Sequence, residues 1–203
     1  NLEAGGRLDA SNMFGKRARS KFLPNYSLGL SWNVERESFM QPLLASGALQ
    51  YLKLRGSYAL RGNAYQTSPQ RYAKYFQKVR LDNANSEQII DILSPELYNL
   101  SWEKDYIGNL ALEVGLWNKI DVVAEAYQRK NKDLISEAAV ALEEGFGTKV
   151  INFASMKNTG IDITIGLKNL LSSPDWHWNM QGVYGFVRNK VTDGELQSSL
   201  LTQ

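Results

Sequence analysis

The stretch Asn109–Ile135, NLALEVGLWNKIDVVAEAYQRKNKDLI, decides how the whole chain is read. Leu110, Leu112, Val114 and Leu116 fill alternate positions, and after Trp117-Asn118-Lys119 the series resumes at Ile120, Val122, Ala124 and Ala126. Asn109, Glu113, Asp121, Glu125 and Arg129 occupy positions between them. Successive side chains of a strand point to opposite faces. A period of two therefore predicts two antiparallel strands joined by a tight turn, with one apolar and one charged face.

Five further segments alternate in the same way. Leu2, Ala4, Gly6 and Leu8 oppose Glu3, Arg7 and Asp9. Tyr26, Leu28, Leu30, Trp32 and Val34 oppose Ser27, Gly29, Ser31 and Asn33. Leu52, Leu54, Tyr58 and Leu60 oppose Lys53, Arg55 and Ser57. Ile161, Ile163, Ile165 and Leu167 oppose Asp162, Thr164 and Gly166, and Trp176, Trp178, Met180, Tyr184 and Phe186 oppose His177, Asn179 and Gln181. With the two arms of the hairpin, this predicts an all-β antiparallel meander of about seven long strands and no long helix. The connections predicted to be long and polar are 10–24, 62–103 and 131–157; the shorter ones are 36–50, 117–119 and 169–175. Consecutive antiparallel strands reverse direction, so the long connections gather at one end of the sheet. Outer-membrane barrels share this asymmetry, with long extracellular loops and brief periplasmic turns.

Composition narrows the classes. The 203 residues carry a net charge of +2, spread along the chain, which leaves no footprint for nucleic acid. With no cysteine there is no disulfide framework, zinc–thiolate site or cysteine nucleophile. No apolar run approaches the roughly 18 residues of a membrane helix, so any membrane crossing is made by strands. A soluble β-rich carbohydrate- or protein-binding module also alternates, with its core on one face. Strands of about ten residues favour the bilayer, being longer than the usual five or six and sufficient to cross it when tilted. Tyr26, Trp32, Tyr51, Tyr106, Trp176 and Trp178 near the ends of the apolar face point the same way, as interfacial girdles.

Against this background the chain resembles, over its whole length, the later barrel region of SusC/RagA-type TonB-dependent outer-membrane transporters. The matching stretches are RLDASNMFG (7–15), SWNVERESFM (31–40), LKLRGSYALRGN (52–63), NLSWE (99–103), KNKDLI (130–135), NFASMKNTGID (152–162) and RNKV (188–191), in that family's order. Ala10 and Ala59 stand where the family usually has glycine. The resemblance implies that residues 1–203 are a partial segment of a transmembrane β-barrel of about 22 strands closed around a plug. It implies a location in the bacterial outer membrane, a SusD-type surface lipoprotein as lid, energy from TonB delivered through a plug region, and import of oligosaccharides or peptides. No plug is recognisable within the chain.

Catalytic chemistry finds no constellation. His177, the only histidine, falls on a polar strand face beside Asn179. The run DNANSE (82–87) lacks the ligand spacing and central glycine of an EF-hand calcium loop. No cofactor or metal is expected. Glu113, Asp121 and Glu125, with Lys53, Arg55, Arg129 and Asp162, are read as a solvated barrel lining that faces the lumen or the plug. Tyr65, Tyr72, Tyr75, Phe76, Tyr98 and Trp102, in the longest connection, are the candidates for contact with substrate or lid. There SEQIIDILSP (86–95) is expected to form a short helix capped at Ser86.

The assigned faces make opposite demands on neighbouring residues. Leu54→Arg or Ile163→Arg should each impair assembly, at about 2–4 kcal/mol near the bilayer centre. Lys53→Ala and Asp162→Ala should leave assembly nearly intact in a heat-modifiability assay of the refolded barrel.

Overall fold

The computed structural model describes residues 1–11, 22–64, 74–75, 80–81, 88–89, 92–94, 100–139, 141, 143, 147–173 and 176–193. Seven long strands dominate: β1 (Leu2–Ala10), β2 (Phe22–Asn33), β3 (Leu49–Asn63), β4 (Glu103–Leu116), β5 (Ile120–Ala139), β6 (Thr148–Ser173) and β7 (Trp176–Asp193). They form one antiparallel sheet in simple sequence order, each paired with its neighbours.

Register settles which side chains share a face. Trp32, Leu54, Leu112, Ala124, Ile163 and Tyr184 stand in one row across β2 to β7. One residue along, Asn33, Lys53, Glu113, Val123, Thr164 and Val183 form the corresponding row on the other face. A slip of one residue would exchange the two sets, so the alternation itself locks the register. Among the described residues, no second layer covers the middle of the apolar face. Leu30 is 58% exposed, Leu110 63% and Phe186 56%. A soluble module would have to seal this surface, so its exposure favours the barrel reading over the sandwich.

The buried hydrophobic clusters lie at the two ends of the sheet, while Ala111, opposite Arg55 and Glu125, is buried mid-sheet under the longer side chains of the polar face. At one end Val34, Met40 and Leu49 pack with Leu44, Leu52, Leu54, Val114 and Leu116. The connection between β2 and β3 makes this cluster. It folds as two 3-10 turns, Val34–Arg36 and Ser38–Met40, and a helical turn, α1 (Gln41–Ala45), started by Pro42 in its first turn. Because Leu52, Leu54, Val114 and Leu116 lie on the apolar face, the connection folds back onto that face. At the other end Leu23, Leu100 and Trp102 pack together, flanked by Ala64, Ile135 and Val150.

Three expectations need correction. First, the connection predicted at 131–157 is largely strand: β5 continues to Ala139 and β6 begins at Thr148. Beyond the apolar band both faces meet water, so period two fades, and Asp133 (φ +57°) and register shifts around Ala154 break what remains. Second, Tyr51 lies opposite Gly115 on the polar face and is not part of an apolar-face girdle. Third, the segment predicted helical at 86–95 contains two short strand pieces: Gln88–Ile89 pairs with Arg80–Leu81, and Ile92–Ser94 with Lys74–Tyr75. Its β-branched Ile89 and Ile92 favour extended backbone over helix.

The β4–β5 turn closes where Lys119 N–H donates to the Leu116 carbonyl at 3.0 Å. Trp117 and Asn118 both take positive φ, +49° and +55°, the hand that matches strand twist. Two further close approaches lie on the polar face. Tyr51 covers Gly115 and Tyr127 covers Gly160, each directly opposite in register, and a Cβ on either glycine would collide with the ring. Gly160→Ala should therefore lower stability by about 1–3 kcal/mol in denaturant-induced unfolding from micelles. Gly182→Ala, where a Cβ meets nothing within 4 Å, should have little effect. Adding Tyr127→Ala to Gly160→Ala should remove the collision, leaving a double variant better than additive.

Candidate functional site: a charged face and a knot at the rim

The polar face gathers every residue expected to line the lumen. Lys53 is directly opposite Glu113, Glu125 lies between Ala111 and Asp162, and Asp121 lies between Gly115 and Gly166. Arg55 reaches across to Glu113 at 2.6 Å, and Arg129 to Asp105 at 2.6 Å. Asp121 joins two neighbours, forming an ion pair with Lys168 and accepting a hydrogen bond from the Tyr51 hydroxyl at 3.0 Å. Asp105 and Lys168 had not been singled out in the sequence, and Tyr51 had been read there as a girdle residue of the apolar face. Each stands at a polar-face position of its strand, which was the available signal. His177 is exposed on this same face of β7. The arrangement is a cross-strand lattice of paired charges suited to a wet surface, and each exposed pair contributes about 0.2–1 kcal/mol.

The aromatic candidates separate. Tyr65, Tyr72, Phe76 and Tyr98 lie outside the described residues. Tyr75 belongs to the short ladder with Ile92. Trp102 is 5% exposed and packs on Leu23 and Leu100, so it is a core residue at this end of the sheet.

That end also holds a feature that periodicity does not show. Asn152 of β6 receives the Ser101 N–H at 2.7 Å through Oδ1. Its Nδ2 donates to the carbonyls of Ser101 at 2.9 Å and Asp133 at 2.6 Å. Glu103 accepts from Ile135 N–H at 2.9 Å and from Asn63 Nδ2 at 2.8 Å. Lys104 pairs with the Asp133 carboxylate at 2.7 Å. The separated stretches NLSWE, KNKDLI and NFASMKNTGID thus converge on one polar knot, which satisfies backbone groups where β5 bulges at Asp133. An amide is required at Asn152 because it must both accept and donate. Asn152→Ala should lower stability by about 1–3 kcal/mol in denaturant-induced unfolding. Asn152→Asp should be no better, because its carboxylate would face two carbonyl oxygens.

No family model matches the chain. Among curated proteins, it is 27% identical over 195 residues to TonB-dependent receptor P26 of Formosa agariphila, covering 93% of the chain and 18% of that receptor. It is 25% identical over 193 residues to TonB-dependent receptor P39 of the same organism, covering 95% and 18%. The chain thus spans less than a fifth of these relatives. Among solved structures, the RagAB peptide importer in its open-open state matches with a TM-score of 0.77 at 24% identity, over 97% of this chain and 20% of the importer chain. The closed-closed state matches with a TM-score of 0.75 at 23% identity, over 95% and 20%. Receptors of this kind are outer-membrane β-barrel proteins. The SusC/RagA resemblance read from the sequence is thereby borne out, and the chain has the fold of a stretch of outer-membrane barrel wall from a TonB-dependent transporter.

Proposed function

We propose that this chain forms part of the barrel wall of an energised importer, one that takes up peptides or oligosaccharides with a SusD-type lipoprotein as its lid. The observation that carries the reading is the uncovered apolar face, continuous across seven strands and backed by a lattice of paired charges. Lipid covers such a face, and water or a plug meets the other. The free outer edges of β1 and β7 fit this reading, because a bilayer tolerates no unpaired strand edge and further strands must pair with both.

The same reading assigns roles to individual residues. Lys53, Arg55, Glu113, Asp121, Glu125, Arg129 and Asp162 line the lumen. Glu125 and Asp162, directly opposed, offer a cationic plug side chain a pair of acceptors. Tyr65, Tyr72, Tyr75, Phe76 and Tyr98 are the candidates for touching substrate or lid, their rings suited to sugars and to protein surfaces alike. TonB acts through a plug region outside this stretch. In this reading the wall serves transport and takes no part in bond-making chemistry.

The test is uptake by cells carrying the full-length protein. Labelled oligopeptides and oligosaccharides too large for porins should enter only when the receptor, its neighbouring lipoprotein and TonB are all present. Uptake unchanged by deleting the receptor or TonB would refute the reading. The class of oligomer lost on deletion names the cargo.

A further inference from the structure

The apolar face ends in cations. Along its edge towards the long connections, Lys130, Lys157 and Lys190 stand directly opposite one another on β5, β6 and β7. Arg188 lies one row below them, opposite Thr159, while Lys132 lies one row above, its ammonium 5.9 Å from the centre of the Tyr106 ring. Like charges directly opposed across a ladder repel. On the polar face, by contrast, three cations are met by carboxylates, at Arg55–Glu113, Arg129–Asp105 and Lys168–Asp121. Among the described residues, no carboxylate pairs with Lys130, Lys157, Lys190 or Arg188. An anion from outside the described strands would relieve this repulsion.

Height identifies it. From Ile120 to Lys130, β5 advances about 33 Å at about 3.3 Å per residue, or about 25 Å along the membrane normal at a tilt of about 40°. An apolar band of barrel wall is about 25 Å tall, so the lysine row sits where hydrocarbon gives way to headgroups. Two strand spacings separate Lys130 from Lys190, placing the three lysine backbones within about 10 Å of one another. Just beside them Gly108, lacking a side chain, opens a groove of about 320 Å³ lined by Tyr58, Tyr106, Gln128, Lys130 and Lys132. A tyrosine ring beside lysines is suited to a sugar that bears phosphate.

We propose that this row binds the phosphorylated sugar headgroup of a glycolipid in the outer leaflet, with the phosphate among Lys130, Lys157 and Lys190 and the sugar against Tyr106. The assignment rests on the barrel-wall reading above, which makes this edge the outer one. It gives the β5–β7 surface a specific lipid partner in addition to a generic solvent.

The experiment uses the full-length protein, purified in detergent and stripped of endogenous lipid. Three probes are titrated: a purified bisphosphorylated lipid A, the same glycolipid after phosphate removal, and phosphatidylglycerol. The phosphorylated glycolipid should bind on the order of a hundredfold tighter than its dephosphorylated form, from three cations near one headgroup. It should also bind more tightly than phosphatidylglycerol. The triple variant Lys130→Gln, Lys157→Gln, Lys190→Gln should lose that preference, and the corresponding triple arginine variant should keep it.

Equal binding of the phosphorylated and dephosphorylated forms by the unsubstituted protein would overturn the proposal whatever the variants do. A preference undiminished in a folded glutamine triple would also overturn it, as would phosphatidylglycerol binding as tightly as the glycolipid. A protein that stays monodisperse without detergent sinks the membrane reading and this one with it. A detergent-dependent, heat-modifiable barrel without phosphate preference sinks this one alone.

Discussion

Hydrocarbon offers a peptide group no hydrogen bond. Every amide in the membrane must therefore find its partner in the protein, and a sheet achieves this only by pairing each strand on both sides. That requirement produces the meander from β1 to β7, in which the ladder satisfies the backbone and leaves the side chains to sort themselves by solvent. Alternation follows, because a strand presents its residues to two sides and here the two sides are lipid and water. Leu112 and Glu113 are neighbours in the chain, yet they meet different media.

Two devices hold the wall together where alternation alone is insufficient. On the polar face, tyrosines fold over glycines one strand away, Tyr51 on Gly115 and Tyr127 on Gly160, replacing the contacts a missing side chain would have made. At the end bearing the longest connection, the Asn152, Glu103 and Asp133 knot ties β3, β4, β5 and β6 where strand pairing becomes irregular. At the opposite end the 34–48 connection tucks Met40 and Leu44 against the outer surface, where the strands meet the membrane boundary. The wall is thus stiffened at both rims, leaving the middle to the ladder and the lipid.

What was legible in the sequence matches where the two media act most strongly. Leu110 to Leu116 and Ile120 to Ala126 announced their faces because lipid tolerates no polar error there, and the same constraint placed Lys53, Arg55, Glu113 and Asp162 together. The far ends of β5 and β6 were illegible because water bathes both sides beyond the band, so Ile135, Val150 and Asn152 obey no period. Tyr51 was assigned to the wrong face because an aromatic near a strand end reads as a girdle residue, whereas its parity, opposite to that of Leu52, gives its true side. Trp102 was read as a binding aromatic, but its place beside Leu23 depends on a contact across strands that no local pattern announces. The knot at Asn152 joins residues far apart in sequence, and only the repeated order of the family's motifs hinted at it.

The partition of the two faces is open to direct measurement, since this stretch carries no cysteine to confuse a thiol probe and any cysteine elsewhere in the full-length protein can be replaced by serine first. Single cysteines at each position from 109 to 116 and from 120 to 127, leaving out the covered Ala111 and Gly115, in the full-length protein in native membranes, would be exposed to a charged water-soluble thiol reagent. A lipid-soluble quencher would then report on a label at the same sites. The account predicts strict alternation, with odd positions reacting from water and even positions quenched from lipid. Even positions that react with the charged reagent as readily as odd ones would contradict it.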